Sequence, residues 1–199
     1  REGDHAIFWQ RADGNGAAER LTKPEKDEIH EPEAWSEAND TLLFTVRKGP
    51  IVSLWMFSLK TRKATPFGNV QSLTLTGAVF SPDSKWVAYA ATEGERRATI
   101  YVQPFPPTGT RHELLREGEE PANHPAWAPD GKELYFNPGP GQFKAVKVTT
   151  KPNFAFGAVV SLPRPFRVSP TRNPRAYDVL PDGRFIAVIS PSQSGSENL

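Results

Sequence analysis

Cysteine is missing from this chain of 199 residues, and methionine occurs once. The absence of thiols excludes disulfides, thiolate metal centres and a cysteine nucleophile, but it does not fix a compartment, because exported chains also do without them. Net charge is nearly absent too. With 24 Lys and Arg against 23 Asp and Glu, the formal charge is +1, so nothing chain-wide favours nucleic acid or an acidic partner. No apolar run is long enough to cross a bilayer as a helix. The opening Arg1-Glu2-Gly3-Asp4-His5 lacks an apolar signal region, so any export address is expected outside this stretch.

Catalytic signatures are scarce as well. No Gly-x-Ser-x-Gly nucleophile elbow and no Gly-x-Gly-x-x-Gly kinase loop occurs. His5, His30, His112 and His124 form no His-x-x-x-His pair, so neither a metal nor a cofactor is expected. Gly14-Asn15-Gly16 and Gly139-Pro140-Gly141 read as hairpin turns, since neither opens a helix whose amino end could hold phosphate.

Chain-breaking residues are abundant instead. There are 20 prolines and 15 glycines spread along the whole length, with proline at about twice its usual share. The apolar segments between them are short, rich in Val, Ile, Phe, Trp and Tyr, and bounded by turn residues, which predicts many short strands and no helix.

A ten-residue window recurs four times, starting at Trp35, Phe80, Trp127 and Val179, with spacings of 45, 47 and 52 residues. The clearest copies are Trp127-Ala128-Pro129-Asp130-Gly131-Lys132 and Val179-Leu180-Pro181-Asp182-Gly183-Arg184. Each window predicts a hairpin. Proline presets φ, Asp bonds the local backbone and Gly accepts left-handed geometry, so Asp83, Asp130, Gly131, Asp182 and Gly183 are read as structural turn residues. Second strand pairs lie between the windows, beginning at Leu54, Ile100 and Phe143. Ile7-Phe8-Trp9 and Glu19-Arg20-Leu21 supply the closing half of an earlier unit. Four strands at a period near 45 residues predict an all-β fold, a β-propeller of about four blades of four antiparallel strands. The expected organisation is a single propeller domain or propeller segment over residues 1–199, with repeats near 5–22, 30–67, 75–116, 122–163 and 174–190.

At these windows the chain resembles the TolB-like, WD-repeat-like propellers of bacteria, and is similar to the propellers that follow the membrane helix in some serine/threonine kinase-like receptors. The first window departs, with Glu37-Ala38-Asn39-Asp40 in place of Pro-Asp-Gly. The resemblance implies a propeller, a non-enzymatic role in protein binding, and a periplasmic or other extracytoplasmic place. TolB-like propellers usually have six blades. The half-blades at the two ends permit either a ring of four closed by its terminal strands or an arc of a longer ring, and the resemblance favours the arc. Open blade edges would favour dimerisation.

Loops before the innermost strands put side chains at a propeller's channel mouth. The residues expected there as contacts to a protein partner or small ligand are Glu31, Glu33, Thr76, His124, Arg172 and Arg175. Glu31 and Glu33 are read as preceding the first innermost strand, His124 as preceding the third, and Asp178 as lying inside the fourth. These acids leave open a carbohydrate-active enzyme. A further alternative is the gating propeller of a peptidase whose catalytic domain lies elsewhere. The basic stretch from Pro163 to Arg175 is either a contact surface for an acidic partner or a solvated connection, and lacks the interleaved aromatics of a nucleic-acid site. Residues Ser190 to Asn198 read as a flexible connection.

Overall fold

The chain turns where the Pro-Asp-Gly chemistry requires it. In the computed structural model, which describes residues 4–95, 97–114, 120–139, 142–163 and 175–187, the last three windows close alike. Ser84 N–H donates to the Ser81 carbonyl, Gly131 N–H to Ala128 and Gly183 N–H to Leu180. The closing residue takes positive φ each time, +56° at Ser84, +70° at Gly131 and +85° at Gly183. The Asp before it caps the turn: Asp83, Asp130 and Asp182 accept from the backbone N–H of Lys85, Lys132 and Arg184. Without the Pro-Asp pair that the other three windows share, the first window shifts its turn by one residue. Asp40 N–H donates to the Glu37 carbonyl, and Asp40 takes the positive φ.

Among the described residues the regular elements are all strands. A hairpin of β1 (Phe8–Trp9) and β2 (Glu19–Arg20) comes first. The first full blade is β3 (Glu28–Ser36), β4 (Thr41–Lys48), β5 (Ile51–Ser58) and β6 (Lys63–Ser72). The second is β7 (Val79–Phe80), β8 (Trp86–Ala91), β9 (Thr99–Pro104) and β10 (His112–Glu113). The third is β11 (Asn123–Trp127), β12 (Glu133–Asn137), β13 (Lys144–Thr149) and β14 (Ala155–Ser161). A last hairpin joins β15 (Tyr177–Val179) to β16 (Phe185–Ala187). Every sheet is an antiparallel meander in chain order, and the two terminal hairpins are separate two-stranded sheets. The described residues therefore form an arc of blades, not a closed ring of four.

Period-2 alternation lets one strand serve two cores. In β8, Val87 and Tyr89 pack with Leu43, Leu54 and Phe67 of the first blade, while Ala88 between them joins Leu134 and Phe136 of the third. In β12, Leu134 and Phe136 face back and Tyr135 faces forward to Tyr177 and Phe185. Phe44 and Val46 meet Ile7 of the opening hairpin. The arc thus has four inter-blade cores, one at each step.

Trp127 and Trp35 hold the same place in their windows, yet Trp127 is 7% exposed and Trp35 is 48% exposed. Trp127 packs into the core shared with the preceding blade. The hairpin before Trp35 is only two strands wide and leaves that ring uncovered. Truncating Phe136, which has no exposed surface, should cost about 3–5 kcal/mol in urea unfolding, whereas Trp35→Ala should cost under about 1 kcal/mol. Equal losses at the two positions would contradict stabilisation by blade-on-blade burial.

Candidate functional site

Four inner strands, β3, β7, β11 and β15, stand side by side around one axis. Two of them, β3 and β11, depart from regular pairing near the mouth end. Register breaks between Pro32 and Ala34 on β3 and between Asn123 and Ala126 on β11. Gly77 and His124 take positive φ, +53° and +55°, at the same distance before their windows. For a histidine this is uncommon backbone. Such bulges re-aim side chains and backbone groups at a sheet's rim. Here they open a cleft of about 810 Å³, walled by Glu31, Glu33, Leu75, Arg175, Asp178 and Ile186 among others.

Polar latches bind the first inner strand to the second and the fourth to the third. Glu33 Oε1 accepts from the Thr76 hydroxyl at 3.0 Å and Oε2 from the Ala78 N–H at 2.6 Å, joining the first blade to the second. Between the second and third the backbones are in ordinary packing contact, a Cβ at Gly77 lying 3.9 Å from the His124 Cα. The last step uses donors from the opposite side. The Tyr177 hydroxyl donates to the His124 carbonyl, and Arg175 Nη1 donates to the Pro125 carbonyl at 2.6 Å.

Electrostatics follow from this enclosure. Burial pushes the Glu33 carboxyl up to about 7, against the downward pull of the Thr76 and Ala78 hydrogen bonds and one from Gly77. Burial also raises the Tyr177 hydroxyl, keeping it a neutral donor. Glu31 pairs with Arg47 at 3.5 Å, and Asp178 with Arg175 at 3.2 Å.

Of the residues expected at the mouth, Glu31, Glu33, His124 and Arg175 line the cleft. Thr76 is fully buried behind it, as the partner of Glu33. Arg172 and the rest of 164–174 lie outside the described residues, as does the terminal connection. Two placements are corrected. Glu31 and Glu33 lie inside β3, and His124 inside β11, because pairing with β4 and β12 resumes across the bulges. Arg47, Tyr177, Leu75 and Ile186 were missed. The signal for Tyr177 was its register, two residues before its window as Glu33 is before the first. Among the described residues, no three His, Asp or Glu side chains come together to hold a metal ion.

Glu33 gives folding a pH dependence of definite sign. Its folded value lies above the ordinary 4.5, so its contribution is fully present below 4.5 and is lost as pH rises through about 7. Urea unfolding of the wild-type chain should weaken between pH 5 and 8 by up to about 3 kcal/mol. Glu33→Gln should flatten that slope; an unchanged slope would assign it to another group.

No protein-family model and no curated protein sequence matches the chain. Among solved structures it is similar to TolB from Acinetobacter baumannii, with a TM-score of 0.64 and 17% identity over 92% of this chain and 42% of that one. It is also similar to puromycin hydrolase, at 0.67 and 17% over 93% of this chain and 32% of the other. An oligogalacturonate lyase follows at 0.50 and 15%, over 82% and 44%. The chain spans less than half the length of each of these proteins. What the likeness shows is the fold, a β-propeller of the TolB kind.

Proposed function

We propose that this propeller segment is a non-enzymatic binding module that takes a protein partner or small ligand in the cleft at the mouth of its inner strands, in an extracytoplasmic setting. The observation that carries the reading is the use of the polar groups at the mouth. Glu33 spends both carboxylate oxygens on the next blade, and Arg175 and Tyr177 spend donors on the preceding one. A cleft whose walls are latched in place loses little ordering entropy on docking, which suits recognition. Among the described residues Phe8 is 52% and Ile186 58% exposed, apolar surface that suits a second copy as a further partner.

The enzymatic reading has one observation in its favour, a carboxyl raised to about 7 in a cleft beside a second acid, Glu31. A general acid, however, needs an oxygen free to face substrate, and both Glu33 oxygens accept hydrogen bonds from protein. Propellers among the similar structures include a hydrolase and a lyase by name, so the alternative is tested directly. Incubated with a panel of chromogenic glycosides, the chain should release no chromophore above the blank. Turnover that disappears in Glu31→Gln or Glu33→Gln would replace binding by catalysis.

A further inference from the structure

The opening hairpin meets the first full blade through a small apolar core, one backbone bridge and an ion pair between Glu19 and Arg62. A buried histidine stands in the same contact. The geometry points to His30 as the pivot of a pH-sensitive joint, which loosens the segment His5–Ile7 from the blade as the imidazole takes a proton, while the full blades stay packed.

His30 lies on β3 opposite Val46 of β4, on the face that meets the hairpin. Its ring is 5.3 Å from Phe44, in the core that Phe44, Val46 and Phe57 share with Ile7 and Leu21. The opening segment also touches its backbone: the His30 N–H donates to the His5 carbonyl at 2.9 Å, beside the parallel bridge of His5 to Ile29. The side chain is 7% exposed, and among the described residues neither ring nitrogen has a hydrogen-bond partner. An imidazolium there would carry two N–H donors and a charge, and has to be paired or hydrated.

The charges around the ring do not supply that partner. On β3, Glu28 Oε2 stands 3.6 Å from His30 Nε2, beyond hydrogen-bond reach, and its carboxylate already accepts from the Glu25 N–H and from Lys48 Nζ. Glu25 is drawn to Lys48 as well. From the hairpin, Asp4 and Arg20 pair with each other, so their fields at the ring oppose, and His5 is exposed. Burial therefore decides. It lowers the proton affinity of the ring, against the upward pull of Glu28 and Asp4 and with a downward push from Arg20.

A histidine that binds its proton less readily when folded contributes stability that is full above the ordinary value of 6.5 and is lost as pH falls from there toward the lowered value. The sign is opposite to that of Glu33. Acidification thus tightens the latch between the first two full blades and frees the opening segment. Glu28, held below the ordinary 4.5 by the Glu25 N–H and Lys48, keeps its charge through this range.

Hydrogen exchange in the full chain reads the joint at its own amide, apart from global unfolding. The protection factor of the His30 N–H should fall several-fold between pH 8 and pH 5, while that of the Val148 N–H, bonded to the Lys132 carbonyl within the third blade, should not. His30→Gln should abolish the fall and His5→Gln should leave it in place. In case a substitution disturbs the fold, the wild-type His30 ring is followed by the shifts of its carbon-bound protons, and its midpoint should lie below 6.5. Protection that stays level or rises toward acid overturns the proposal, a rise being the mark of a protonated ring clamped to Glu28. A fall that persists in His30→Gln, or a ring midpoint at 6.5 or above, overturns it equally.

Discussion

A four-stranded sheet with apolar side chains on both faces cannot stay dry alone, and everything else in this structure follows from that constraint. Val87 and Tyr89 look to one neighbour and Ala88 to the other within a single strand. The central strands of the full blades therefore have no solvent face to spare. Burial of this kind is non-directional. It stacks blades face to face, but does not decide how far each inner strand stands from the axis. That decision falls to the few directional contacts at the mouth, where Glu33, Thr76 and Ala78 tie one inner strand to the next.

The same division explains why the mouth is open while the blades are closed. Bulges at Pro32 and His124 interrupt pairing with the second strand, releasing backbone groups that would otherwise be spent within the blade. The His124 and Pro125 carbonyls then accept from Tyr177 and Arg175 of the next unit. Local irregularity in one sheet becomes the docking point for its neighbour, and the cleft is what remains along the axis.

The turns and strand order were legible in the sequence because their causes are local. Pro129-Asp130-Gly131 carries its own geometry, and the spacing of the windows carries the blade count. Where Pro-Asp is missing, at Glu37-Ala38-Asn39-Asp40, the turn moved by one residue, a shift that the bare window does not encode. The latch was hidden for a different reason. Glu33 and Thr76 are 43 residues apart, and their pairing depends on the rotation between two sheets, which composition and periodicity leave open. Tyr177 was overlooked beside Asp178 because acidic residues suggest chemistry more readily than a phenol whose work is to hold a neighbour's carbonyl.

Glu33 shows why a perturbed carboxyl in a cleft is not by itself a catalyst. Desolvation raises its proton affinity, while three hydrogen bonds pull the other way. The first effect is the cost of placing an acid where two blades meet. The second is what that placement achieves. A backbone carbonyl at this position could accept from Ala78 or from Thr76, but its single oxygen would bring both donors to one point. A carboxylate spreads them over two oxygens and spans the gap between adjacent inner strands. On this account the fold keeps an acid at the mouth for its reach, as a consequence of how the blades are joined.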